Sequence, residues 1–203
     1  MNVTNMHASE FLNQRGIEYF LFEEDFVDEN VRCIPMIVRF KMDAVGIKLK
    51  LAEWSKFRID ERMALAVMPC ETINEIGKYH VYLDTLVQRH TGKPSTKMEV
   101  DINPLWADLT AVPETLLQKA AEYNCNISVG QWKNLTALQR FALLKLQRPG
   151  HENKNFPIAM REFKLMPGAN DHNRKQTNNK VTFGRAFHLE ENEIDVTIKS
   201  GSL

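Results

Sequence analysis

Trp54-Ser55-Lys56-Phe57 followed by Glu61-Arg62-Met63-Ala64-Leu65 returns later in the chain as Trp132-Lys133-Asn134-Leu135 followed by Gln139-Arg140-Phe141-Ala142-Leu143. Tryptophan, the large apolar residue three places on, and the acid-or-amide, Arg, apolar, Ala, Leu run coincide in register. Leu49 and Leu51 stand where Ile127 and Val129 stand in the second copy. Each copy reads as a short helix, a turn and a longer helix. One such unit cannot bury its apolar face alone, whereas two stacked copies can. A helix-turn-helix can also read nucleic acid. Packing is favoured here, because Trp and Ala-Leu are core residues and the second helix carries few basic side chains. Lys plus Arg and Asp plus Glu are both 26, so the formal charge is +0 and the electrostatic term that dominates nucleic-acid binding is missing.

Outward from the repeat, helical spacing continues. Pro35 suits a first helical turn, Met36, Ile37, Phe40 and Val45 recur at helical intervals, and Gly46 can end that helix. Asp60 is placed to cap Glu61 to Met68. A long helix is expected from Thr72 to His90, with Ile73, Ile76, Tyr79, His80, Leu83, Leu86 and Val87 as its apolar stripe and Gly92 as its stop. Pro113 opens a helix to Tyr123, Ser128 caps Val129 to Leu135, and Thr136 caps the next to Leu146. A last helix spans Asn153 to Leu165 with Pro157 in its first turn. The fold class is therefore all-α: a bundle with two related helical hairpins. Residues 92–112 read as an irregular connection anchored by Val100, Ile102, Leu105 and Trp106. The domain division is a polar leader at 1–18, a helical core at 19–166 and a polar, partly disordered tail at 167–203, in which Val181 to Phe187 could form a short strand.

With 203 residues, 43% of them hydrophobic and 26% charged, the chain suits one globular core. The start lacks a basic segment followed by an apolar one, and no run of about 18 apolar residues occurs. A cytoplasmic protein is expected, with no membrane and no nucleic-acid partner. The cysteines Cys33, Cys70 and Cys125 are odd in number and widely spaced, as reduced thiols are. Cys33, Cys70 and His151 lack the close ligand pairs of a structural metal site, and whether they approach one another is not readable. His151-Glu152 begins a zincin-like string, but Asn155 stands where its second histidine belongs. The acidic run Glu23, Glu24, Asp25 is expected to be a solvated face rather than a pair of acid–base carboxylates. No catalytic motif and no cofactor site is found.

The string Arg32 to Asp43, continued by Gly46-Ile47-Lys48-Leu49, Trp54, Phe57, Arg62 and Pro69-Cys70, resembles the nitrate reductase associated protein family, best known from cyanobacteria. The distal block Trp132, Leu138, Arg140-Phe141-Ala142-Leu143, Lys145-Leu146, Pro149, His151-Glu152-Asn153, Asn155-Phe156 and Glu162-Phe163 extends the likeness. The resemblance implies a supporting role for assimilatory nitrate reductase, with genes beside those for that enzyme and for molybdopterin synthesis. It carries no catalytic residues. The expected function is a non-enzymatic accessory protein, acting in maturation or molybdenum-cofactor loading. Its partner would be nitrate reductase or a cofactor-insertion protein, and its link to the cofactor would be indirect. A small-molecule or cofactor-precursor sensor is the second reading, needing a pocket between the hairpins, and an enzyme of unrecognised type the third. The candidate binding residues are Arg32, Arg39, Lys41 and Asp43, with His151, Glu152 and Asn155 as a second cluster. Arginine forks suit carboxylate or phosphate, and a docking surface needs side chains that the fold itself does not require.

Overall fold

The structure, a computed structural model, describes residue 18 and residues 20–26, 33–148 and 151–166. Apart from Glu18, the leader lies outside the described residues. So do the whole tail, its expected strand, and Arg32. Eight α-helices follow in order: α1 (Met36–Val45), α2 (Leu51–Trp54), α3 (Ile59–Val67), α4 (Ile73–Thr91), α5 (Glu114–Ala121), α6 (Val129–Asn134), α7 (Ala137–Leu146) and α8 (Phe156–Glu162). Two 3-10 segments, Leu21–Phe26 and His151–Asn155, complete the helical part. Among the described residues the fold is all-α except for one antiparallel pair, β1 (Ile47–Lys48) and β2 (Thr96–Lys97), in which Ile47 faces Lys97.

The helix ends follow from side chains. Thr72 accepts a hydrogen bond from the Glu75 N–H at 3.3 Å while the Glu75 carboxylate accepts from the Thr72 N–H at 2.9 Å. Those bonds hold the Glu75 carboxyl below its ordinary value. Ser128 with Gln131 and Thr136 with Gln139 close the same reciprocal box on α6 and α7. The expected cap of α3 is displaced by two residues. Arg58 is its N-cap, the Arg58 N–H donates to Glu61 at 2.9 Å, and Asp60 sits inside the first turn. Gly46 ends α1 at φ 67°, and a Cβ there would stand 2.9 Å from the Met98 carbonyl oxygen. Glycine is the one residue that allows both this turn and the close approach of β2.

The repeated strings take equivalent places. The short helices start at Leu51 and Val129, the longer ones at Ile59 and Ala137, and the helices before them, α1 and α5, each follow a proline N-cap. Their apolar residues do not merge into one stack, however. Trp54, Phe57 and Leu65 join Tyr79, Leu83 and Leu86 of α4 in a first core. Trp132, Leu135 and Leu143 join Leu116 of α5 and Phe156 and Met160 of α8 in a second. Both tryptophans are fully buried, a site at which truncation to alanine costs about 3–5 kcal/mol.

Helix α1 joins the two cores. Val38, Met42 and Val45 pack into the first; Met36 and Phe40 pack into the second, with Phe40 at 5.2 Å from Phe141 and 4.9 Å from Trp106; Ile37 touches both. The 92–112 connection is held differently from expectation. Ile102 and Leu105 are 86% and 60% exposed and are no anchors, while Val100 is partly exposed with its side chain against Gly46. The anchors are β2, Ser95, Trp106 and Val112. Backbone bonding explains this: the Trp106 and Asp108 carbonyls accept from Arg140 Nε at 2.7 Å and Trp132 Nε1 at 2.8 Å. Ile73 likewise leaves the expected stripe of α4, standing 91% exposed in its first turn.

Candidate functional site

The third face of α1 borders a cleft of about 850 Å³, within the size range of small-molecule sites. Arg39, Met42 and Asp43 come from α1. Lys48 and Leu49 come from the turn into α2, and Lys145 and Arg148 from the end of α7. Lys154 and Asn155 close it from the 3-10 turn before α8, with Phe22 and Glu23 beside them. It thus lies where elements of both hairpin units meet α1.

Of the expected site residues, Arg32 lies outside the described residues. Arg39 stands in the cleft, its Nε donating to the Ile34 carbonyl at 2.8 Å. Asp43 accepts from Lys145 Nζ at 2.8 Å, with both side chains partly exposed. Asn155 lines the cleft and makes no capping bond with its side chain. These three come together, although Asn155 is far from the other two in sequence. For His151 and Glu152 only the backbone turn is described.

Lys41 is a correction to the expected exposed cluster. It is 9% exposed and points away from the cleft, donating to the Ala66 carbonyl at 2.6 Å and the Met68 carbonyl at 2.7 Å. Tyr79 Oη donates to the Leu65 carbonyl beside them at 3.0 Å. These donors from α1 and α4 satisfy the open C-terminal carbonyls of α3. Burial lowers the Lys41 pKa from 10.5 to about 8, against the smaller upward pull of Cys70 and Glu71. Glu23 is a second correction. It is 5% exposed, and its carboxylate accepts from the Met36 N–H at 2.7 Å, at the start of α1, so it is no solvated acid.

Among the described residues, five basic residues and two carboxylates line the cleft. Asp43 is neutralised by Lys145, and Glu23 is engaged by backbone. Among the described residues Lys48, Arg148 and Lys154 have no ion-pair partner. The floor is apolar: Ile34, Met42 and Leu49 are buried there. Among the described residues, the cleft therefore gathers more positive than negative groups over an apolar floor. Four of the cations, Lys48, Lys145, Arg148 and Lys154, were not singled out by sequence reasoning. The signal for two of them was legible: Lys145 and Arg148 lie three residues apart at a helix end, with no acid one turn upstream.

The thiols differ in setting. Cys33 lines the cleft, whereas burial pushes the Cys70 and Cys125 thiols above their ordinary values. All three are half-buried. Among the described residues no three His, Cys, Asp or Glu side chains are grouped to hold a metal ion. None of the described helices is long and apolar enough to cross a membrane.

The fold and cleft define a class: an all-α protein of two cores sharing one helix, with a cationic cleft on that helix. Residues 19–163 match the family described as conserved nitrate reductase-associated protein, and the chain belongs to that family. Neither the curated proteins nor the solved structures compared with it give a match.

Proposed function

We propose that this chain is an accessory protein of nitrate reductase, without catalytic activity of its own, that supports maturation of the apoenzyme or loading of its molybdenum cofactor. The family description names the association with nitrate reductase; the accessory step is the reading we add. The observation that carries it is the convergence of Arg39, Asp43 and Asn155 on one cleft lined by residues from separate elements. Such a surface offers polar side chains beyond those that hold the helices together. The cofactor link runs through the partner, and the site of action is the cytoplasm.

A second reading, a small-molecule sensor of the same pathway, is favoured by the volume and apolar floor of the cleft. The test of the first reading is affinity capture of the tagged full chain from its own cells grown on nitrate, with and without crosslinker, read by mass spectrometry. Enrichment of nitrate reductase or a cofactor-insertion protein is expected. Its absence in both preparations removes the accessory role and leaves the sensor.

A further inference from the structure

We propose that the cleft beside α1 is a binding site for an organic phosphate, its phosphoryl end held by the cations and its organic portion laid on the apolar floor. The inference uses the same cleft as the proposed function, but it stands on the charge and shape of that cleft and does not require nitrate reductase.

Charge comes first. Asp43 is already engaged by Lys145 at 2.8 Å, and the Glu23 carboxylate accepts from the Met36 N–H while 5% exposed. Lys48, Arg148 and Lys154 therefore face the cleft with no carboxylate among the described residues to neutralise them. A ligand of two to three negative charges balances this excess, and an unpaired cluster of like charges in a half-enclosed site is otherwise unfavourable.

Geometry narrows the anion. Lys48 sits on β1, Arg148 just past the end of α7, and Lys154 in the 3-10 turn before α8. Three separate segments thus bring basic residues to the lining of one cleft. A single carboxylate has two oxygens and accepts one fork at a time. A phosphate or diphosphate presents acceptors in several directions and suits a mixture of arginine fork and lysine point charges.

Size and polarity favour an organic phosphate over a bare ion. A volume of about 850 Å³ is far more than an inorganic phosphate fills. Ile34, Met42 and Leu49, buried beneath the cations, present an apolar surface that only an organic group covers favourably. A cleft lined both by cations, from β1, the end of α7 and the turn before α8, and by apolar side chains matches a ligand with an anionic and an apolar portion.

The test is titration calorimetry on the full chain with adenosine 5′-diphosphate, pyrophosphate, adenosine and a hexaglutamate peptide, each at low and high salt. The diphosphate nucleoside is expected to bind more tightly than pyrophosphate and to weaken as salt rises; adenosine is expected not to bind. Lys48→Gln with Arg148→Gln changes two exposed side chains and should weaken the nucleotide by roughly tenfold or more, since charge-assisted hydrogen bonds to the phosphoryl oxygens supply a large share of such binding. Lys133→Gln, outside the cleft, should leave it unchanged, and thermal unfolding of each variant checks the fold. Equal binding of adenosine and its diphosphate, silence of both phosphates, or no response to the double substitution overturns the proposal. Binding of hexaglutamate alone also overturns it, and makes the cleft a docking groove for acidic protein segments. A successful capture of nitrate reductase beside a failed titration, or the reverse, separates this inference from the accessory role.

Discussion

A lysine on the buried side of a helix has to be reconciled with the desolvation of its charge. Lys41 does so by capping α3 through Ala66 and Met68. Its folded pKa of about 8 lies below the ordinary 10.5. Between those values the unfolded chain holds the proton more firmly than the folded one, so unfolding takes up a proton and stability rises with pH. Below about pH 8 the full charge penalty is present; toward pH 10.5 it is relieved. The stability of the wild type relative to Lys41→Met should therefore grow between pH 7.5 and 10, by roughly 1–2 kcal/mol after allowance for nearby solvent. Urea unfolding at the two pH values measures it; a difference that does not change with pH would remove the burial argument. Lys41 also marks a limit of sequence reading. It stands one helical turn from Val38 and Val45, so its place on the apolar stripe was legible, but charge argued for exposure. What decided the matter was the open end of α3, a feature of the assembled fold.

At the level of elements the two hairpin units carry the same residues in unequal settings. Arg140 lies 5.8 Å from the Trp132 ring and donates to the Trp106 and Leu135 carbonyls. In the first unit Arg62 Nε and Nη1, together with Trp54 Nε1, are buried with no acceptor among the described residues. Burial lowers the pKa of both arginines. Replacing a satisfied buried cation leaves carbonyls exposed to an apolar setting, whereas replacing an unsatisfied one removes a desolvated charge. Arg140→Met is expected to destabilise by about 2–4 kcal/mol, and Arg62→Met by at least about 1 kcal/mol less. Thermal and urea unfolding of the pair decides this, and equal losses would show that Arg62 is held as firmly as Arg140. The helices themselves were readable because their signals are local: Ser128 and Thr136 cap, and Gly46 and Gly92 stop, where expected. The β1–β2 pair was not, because two residues are too few to show a period of two. The cleft was partly legible. Arg39, Asp43 and Asn155 were singled out for their polar chemistry, but their meeting with Lys48, Arg148 and Lys154 depends on long-range packing that spacing does not encode.

For the molecule as a whole, α1 is the common wall. Its first face closes one core, its second closes the other, Ile37 touches both, and Arg39 with Asp43 borders the cleft. Two cores sharing a helix should open together rather than one by one. Native-state hydrogen exchange should then give α4 and α7 amides the same limiting free energy, and Ile37→Ala, costing roughly 1–3 kcal/mol at a half-buried site, should lower both equally. Protection that falls in one helix alone would show two independently stable halves.

The β1–β2 clasp bears on the order in which such a chain assembles. It brings Ile47 and Lys48 beside Thr96 and Lys97 and so closes a loop that contains α2, α3 and α4. Closing a flexible loop of that length costs about 3–4 kcal/mol of configurational entropy, and an isolated two-stranded pair is marginal in water. The clasp is held from within the loop: Lys97 Nζ lies 3.0 Å from His80 Nε2 and 3.4 Å from Asp84, Ser95 is bonded to Asp84, and His80 Nδ1 reaches the Val45 carbonyl at 2.9 Å. The groups on His80 and Asp84 are presented by α4 once it has packed on α1. The strand pairing is therefore expected to be a late event, a latch that engages after the first core has condensed and adds to the lifetime of the native state more than to the speed with which that state is reached.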